Sequence, residues 1–267
     1  MRQKSILRKL VTGAAVFAMA FSMMSPISAK AATKVSAPEK KVVYQNNKTG
    51  GGWTSIAVDN IPKGQKVLKA TSNKETVAKP YSVYYNVNEY SNEYFDKNMT
   101  QYNYSGSDRY ADIQVDTYKT GTATISYRIG KSNKSYKTYK TKLTVLAYQN
   151  PIKSLTISGV NDGKNLASAF KTSSYVYDGK GKAVTKNQSN GKVVVKANTN
   201  WKITYISFSN DYDNSYMYIS YPQKSGRSQI TLPVGTLKAG KGARVNVNFY
   251  NTKTGGTLSC NYPIKAE

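Results

Sequence analysis

The stretch Gly121-Thr-Ala-Thr-Ile-Ser-Tyr-Arg-Ile129 alternates without a break. Ala123, Ile125, Tyr127 and Ile129 fall on one side, and Thr122, Thr124, Ser126 and Arg128 on the other. A period of two belongs to a strand with one face on a core and one in water, whereas a helix repeats its apolar positions every three or four residues. Ala243-Arg-Val-Asn-Val-Asn-Phe-Tyr250 has the same form, with Ala243, Val245, Val247 and Phe249 inside. Both stretches predict half-buried antiparallel strands.

Working outward, the same grammar predicts strands at 41–45, 53–58, 66–70, 81–87, 110–117 and 141–147. It continues at 154–158, 174–177, 192–197, 202–208, 216–221 and 229–233. Turn signals separate them: Asn47 to Gly52, Asp162-Gly163, Asp178-Gly179, Asn190-Gly191 and Thr254-Gly-Gly256. Only Asn165–Thr172 suggests a helical turn. Many short strands with turns at this spacing indicate sandwiches or barrels.

Composition narrows the chemistry. The 267 residues hold 39 Lys plus Arg against 14 Asp plus Glu, a net charge of +25, and no histidine. Leu, Ile, Val and Phe make up 51 residues, a share that with high charge would signal disorder, but 23 tyrosines supply the missing apolar area. Without histidine and with one cysteine, the usual zinc sites, Ser-His-Asp triads and Cys-His dyads cannot be built. No Gly-rich phosphate loop joins a strand to a helix.

Residues 1–10 carry Arg2, Lys4, Arg8 and Lys9 with no acid, followed by an apolar run from Leu10 to Met24 and the small residues Ser28-Ala-Lys-Ala-Ala32. This is the pattern of a secretory signal over 1–31, cut after Ala29, Ala31 or Ala32. The run falls short of the roughly 20 apolar residues needed to span a bilayer. Removing 1–31 takes five basic residues and lowers the net charge to +20. The end of the chain, Asn261 to Glu267, shows no sorting motif, so no covalent anchor is expected. Cys260 alternates in phase with Leu258, Tyr262 and Ile264, which predicts a buried structural thiol.

A module boundary is expected near Gln149-Asn-Pro151, dividing the chain into 33–149 and 150–267, of 117 and 118 residues. Within the first half, Lys69-Ala-Thr-Ser-Asn-Lys-Glu-Thr-Val-Ala78, Lys119-Thr-Gly-Thr-Ala-Thr-Ile-Ser-Tyr127 and Lys140-Thr-Lys-Leu-Thr-Val145 follow in order. Over about 35–147 the chain resembles the bacterial immunoglobulin-like domains of surface and secreted proteins of Gram-positive bacteria. It differs by a long Tyr/Asn-rich insertion between those elements, and the second half is similar only in strand grammar. The expected fold is all-β, two tandem immunoglobulin-like β-sandwich modules after a signal peptide, and the resemblance implies a scaffold or adhesion role with no catalytic residues.

Three constellations could carry chemistry. Residues 81–110 hold Tyr81, Tyr84, Tyr85, Tyr90, Tyr94, Tyr102, Tyr104 and Tyr110 among Asn and Ser, with a slight excess of acid. Such rings suit sugars or peptides, or else replace Leu and Phe in the core; the acidic balance argues against stacking on nucleic acid. Lys131-Ser-Asn-Lys-Ser-Tyr-Lys-Thr-Tyr-Lys-Thr-Lys142 places Lys131, Lys134, Lys137, Lys140 and Lys142 on one hairpin, where they would grip an anionic polymer or simply solvate an edge. Asn210-Asp-Tyr-Asp-Asn214 lacks the glycine and the final Glu of a calcium loop and is read as a hairpin turn. Asp112 and Asp116 are the candidate carboxylates for glycoside hydrolysis, with nothing in the sequence to bring them together.

The expectation is therefore an exported, non-catalytic binding or adhesion protein, secreted or held without a covalent bond at a Gram-positive surface. It would contact cell-wall or extracellular polysaccharide, another anionic polymer, or a host surface glycan or protein. No metal, cofactor, specific nucleic acid or transmembrane anchor is expected. The alternatives are a carbohydrate-binding module using the Tyr-rich face and a wall-acting hydrolase.

Overall fold

Alternation turns into strand throughout the computed structural model, which describes residues 34–87 and 109–267. The signal-like segment and the Tyr/Asn-rich insertion, with Tyr90, Tyr94, Tyr102 and Tyr104, lie outside the described residues. The first half contains β1 (Lys40–Tyr44), β2 (Gly52–Val58), β3 (Lys66–Ser72), β4 (Ala78–Val87), β5 (Arg109–Thr117), β6 (Gly121–Ser132) and β7 (Ser135–Leu146). The second contains β8 (Ile152–Ile157), β9 (Lys182–Ala183), β10 (Gln188–Ala197), β11 (Trp201–Asn210), β12 (Tyr216–Ser220), β13 (Gln229–Leu237), β14 (Ala243–Asn251) and β15 (Thr257–Lys265). Among the described residues there is no α-helix, only short 3-10 turns, and the chain is all-β.

Two sheets face each other across each of two cores. In the first core Ile56 and Val58 of β2 and Ile113 and Val115 of β5 meet Ile125 and Tyr127 of β6 and Leu143 of β7. In the second, Leu155 and Ile157 of β8 and Val193 and Val195 of β10 meet Ile206 and Phe208 of β11, Val247 and Phe249 of β14 and Tyr262 of β15. Cys260 is a free thiol in this second core, as its phase predicts.

The three-stranded layers are β2-β5-β4 and β13-β10-β8, but the opposing layers of both cores are one sheet, ordered β12-β11-β14-β15-β1-β7-β6-β3. β1 is the joint. It runs parallel to β7 over Lys40–Tyr44 and meets β15 at Val43↔Thr257, also parallel. Val43 packs in the first core. Its neighbour Thr257 is out of phase with Leu258, which packs in the second core. Residues opposed across strands share a face, so the two cores lie on opposite sides of the common sheet. Consecutive residues of β1 therefore serve different cores, Val43 the first and Tyr44 the second.

Some expectations change. Residues 174–177 form no strand, only a parallel bridge at Tyr175↔Asn261, because β15 is shared there with β1 and β9. The predicted helical turn is a single 3-10 turn at Ala167–Phe170. The strand predicted from 141 begins at Ser135, since the Lys/Tyr-rich segment is the ascending arm of a long β6–β7 hairpin.

Candidate binding surfaces

Alternation along β6 and β7 sorts the hairpin lysines onto two faces. Lys140 and Lys142 oppose Ser126 and Thr124, on the side away from the first core, while Lys137 opposes Ile129 on the core side, beyond its edge. Lys134 occupies the turn and Lys131 a register irregularity. All five are exposed but they do not form one patch. Instead, the register adds residues from distant strands to Lys140 and Lys142: Lys40 of β1 stands opposite Lys142, and Lys69 of β3 opposite Arg128 of β6. The outer face of β3-β6-β7-β1 thus carries Lys40, Lys69, Arg128, Lys140 and Lys142 among threonines, and these four strands contain no Asp or Glu. The Arg128 guanidinium lies 4.5 Å over the Tyr136 ring, which holds it across the sheet.

The sequence-predicted tyrosines also divide. Tyr81 and Tyr84 are exposed on the outer face of β4, where Tyr84 opposes Asp112. Tyr85 packs against the first core, its hydroxyl accepting from the Val67 N–H at 2.9 Å and donating to the Val67 carbonyl at 3.1 Å. That double contact ties the two sheets and takes Tyr85 out of any exposed platform. Asp112 and Asp116 sit two pleats apart on β5, about 13 Å along the strand at 3.3 Å per residue, beyond the spacing of a glycosidase pair. Burial raises the Asp112 carboxyl above its usual range. Among the described residues no three acid, His or Cys side chains converge as metal ligands, and residues 211–213 form a turn, with Ser215 N–H donating to Asp213 at 2.9 Å.

A second surface, which residue-by-residue reading missed, lies on the outer face of β12-β11-β14-β15. Its middle row is a set of directly opposed residues: Tyr218, Ser207, Asn246, Asn261 and, by the isolated bridge, Tyr175. Asn261 donates from its amide nitrogen to Asn246 at 2.5 Å, and Ser259 donates to Asn248 at 2.8 Å in the next row. At the β12 end Tyr205, Tyr216 and Tyr218 cluster, with ring centroids about 6 Å apart and the Tyr205 and Tyr216 hydroxyls in contact. Burial, with smaller contributions from the neighbouring phenols, pushes Tyr205 up to about 12.

At the opposite end the row enters an open groove of about 500 Å3 where the two halves of the chain meet. Trp53 and Tyr177 line it, 51% and 73% exposed, beside Tyr175 and the amides of Asn46, Asn47 and Asn261. Trp53 and Tyr175 line the same wall of the groove. Its two charges neutralise each other, Arg244 pairing with Asp178 at 3.5 Å. Residues 46–52 are pinned to 172–174 through Lys48 N–H to Thr172 and Ser174 N–H to Asn46. Gly50 is required in that loop: its φ is +100°, and a Cβ would come within 2.9 Å of the Tyr118 carbonyl. The signal that could have found Trp53 is phase, since it alternates against the buried Thr54, Ile56 and Val58.

No family model matches the chain, and no curated protein does. Among solved structures it is similar to tandem Ig repeats of Dlar (9% identity, 88% of this chain and 97% of that one, TM-score 0.28). It is also similar to the Yersinia pseudotuberculosis adhesin InvE (14%, 86% and 58%, TM-score 0.22). The all-β class rests on the chain's own ladders. Among the described residues no helix is long and apolar enough to cross a membrane.

Proposed function

We propose that the chain is an exported, non-catalytic binding protein of a Gram-positive cell surface, built of two immunoglobulin-like modules, 33–149 and 150–267, that holds anionic wall or extracellular polymer on its basic sheet face. The observation that carries this reading is the pair of like-charge oppositions, Lys69↔Arg128 and Lys40↔Lys142, on one exposed face without acids. Like charges directly opposite across strands destabilise a sheet, and a polyanion laid across them converts that repulsion into attraction. Lysine suits a flexible, repetitive polyanion, which offers charge rather than a fixed bidentate geometry. The two separate cores support the modular division, and the signal-like N-terminus supports export.

The test is sedimentation with purified walls that retain or have lost their teichoic acid. Binding is expected only to the charged walls, falling as salt rises from about 0.1 M to about 1 M, where the Debye length shrinks from about 10 Å to about 3 Å. The variant K40E/K140E/K142E should bind weakly, whereas K131E/K134E should keep most of its binding. Binding indifferent to salt, or equal loss in both variants, would overturn the assignment of this face.

A further inference from the structure

We infer that the junction groove and the polar row leading out of it form a second binding site, for an uncharged polysaccharide chain lying across the strands. This site is separate from the basic face, on residues from both halves.

Three features specify the ligand. The groove offers wide aromatic surface to solvent: Trp53 and Tyr177 are 51% and 73% exposed and line it together with Tyr175. Exposed rings at a concave junction stack on the flat apolar faces of sugar rings, while the edges of those sugars need donors and acceptors. The row supplies them as the half-buried amides of Asn261 and Asn246, and it ends at the Tyr218 ring, with Ser207 buried beneath the tyrosines. From Tyr175 to Tyr218 the row crosses four strand spacings, about 19 Å at 4.8 Å each, with aromatic surface at both ends and amides between. That layout fits an extended chain of several sugar units better than a compact metabolite. Finally, the groove's charges, Arg244 and Asp178, are spent on each other, so nothing there selects an anion. The molecule thereby separates two chemistries, charge on one side of the shared sheet and stacking with amides on the other.

The experiment uses affinity electrophoresis of the mature chain in gels containing a mixed-linkage β-glucan, an α-mannan or a β-xylan, each uncharged. It is paired with acrylamide quenching of tryptophan fluorescence. The chain has two tryptophans, and Trp201 is 4% exposed, so Trp53 dominates the quenching. At least one polysaccharide is expected to retard the protein at about 1 M salt as well as at about 0.1 M, and the same polysaccharide to shield Trp53. W53A and Y177A should each weaken binding about tenfold or more, the size of an aromatic hot spot. Y218A, at the far end, should weaken it less. Tyr177 is so exposed that its truncation leaves the melting temperature unchanged, which separates lost binding from lost fold. Retardation by none of the three, retardation that salt abolishes, or retardation that survives in both W53A and Y177A would overturn the site. Wall binding through the basic face is read in a separate assay, so either proposal can fail alone.

Discussion

Tyr44 is the side chain through which the first half of the chain enters the second core. It is 3% exposed, its ring centroid lies 4.8 Å from that of Trp201, and its hydroxyl bonds Thr254 at 2.9 Å. A Cβ on Gly256 would come within 2.7 Å of its ring, so the surrounding backbone is closed around it. Truncating a buried aromatic residue to alanine costs about 3–5 kcal/mol where the site cannot collapse. Removing the hydroxyl alone costs about 1 kcal/mol. The neighbouring Val43 loses two methyl groups on Val43→Ala, worth about 2 kcal/mol with the void it leaves. The two losses should fall on different cores. Tyr44→Ala should reduce amide protection in β11 and β14 and leave β6 near its wild-type value, whereas Val43→Ala should do the reverse. Urea unfolding measures the totals and native-state hydrogen exchange the distribution. If Tyr44→Ala costs under about 1 kcal/mol, as an ordinary surface change does, or if both variants lower protection evenly in β6 and β14, the two-faced joint is wrong.

Tyr85→Phe should cost about 1–2 kcal/mol in urea unfolding, because both Val67 backbone groups lose a partner at once; no measurable loss would refute the tie. Burial raises the Cys260 thiol well above its usual value, so a thiol reagent should label the protein only after denaturant is added, and rapid labelling in native buffer would contradict the core assignment. Burial also raises the phenols of Tyr127, Tyr148 and Tyr262 above the usual 10.0. Since the folded values exceed the unfolded ones, their contribution is complete below pH about 10 and is lost as pH rises through the folded values, by about 1.4 kcal/mol per pH unit for each phenol still protonated. Melting temperatures should be flat from neutral pH to about pH 9 and fall steeply above pH 10; a flat profile through pH 11 would exclude it.

What was legible in the sequence is what a local period encodes. The strand at 121–129 was readable because Ala123, Ile125, Tyr127 and Ile129 must all reach one core, and the burial of Cys260 followed from the same rule. The basic face was half legible: Lys140 and Lys142 stand out in the chain, but Lys40 and Lys69 join them only through parallel and antiparallel registers set by distant strands. The aromatic surface was less legible still. The tyrosines of 81–110 drew the eye by density, while Trp53 lies more than a hundred residues before Tyr175 and Tyr177 and meets them only when β15 and residues 46–52 close on residues 172–177.

Each core keeps two apolar sheet faces of its own, and with 51 Leu, Ile, Val and Phe residues in the whole chain, buried tyrosines such as Tyr44, Tyr127, Tyr148 and Tyr262 help to fill them. Sharing one sheet removes two free edges, those of β1 and β15, which would otherwise need charge, bulges or cover to prevent pairing with other chains. It also lets a five-residue strand, β1, contribute to both cores with adjacent side chains. The consequence reaches the surface. Because the cores lie on opposite sides, each half turns its uncovered sheet face in the opposite direction. Lysine and threonine cover one such face and tyrosine and asparagine the other. A chain with interchangeable faces would have no reason to segregate these residues, and the segregation is what makes two binding chemistries separable by K40E/K140E/K142E on one side and Y177A on the other.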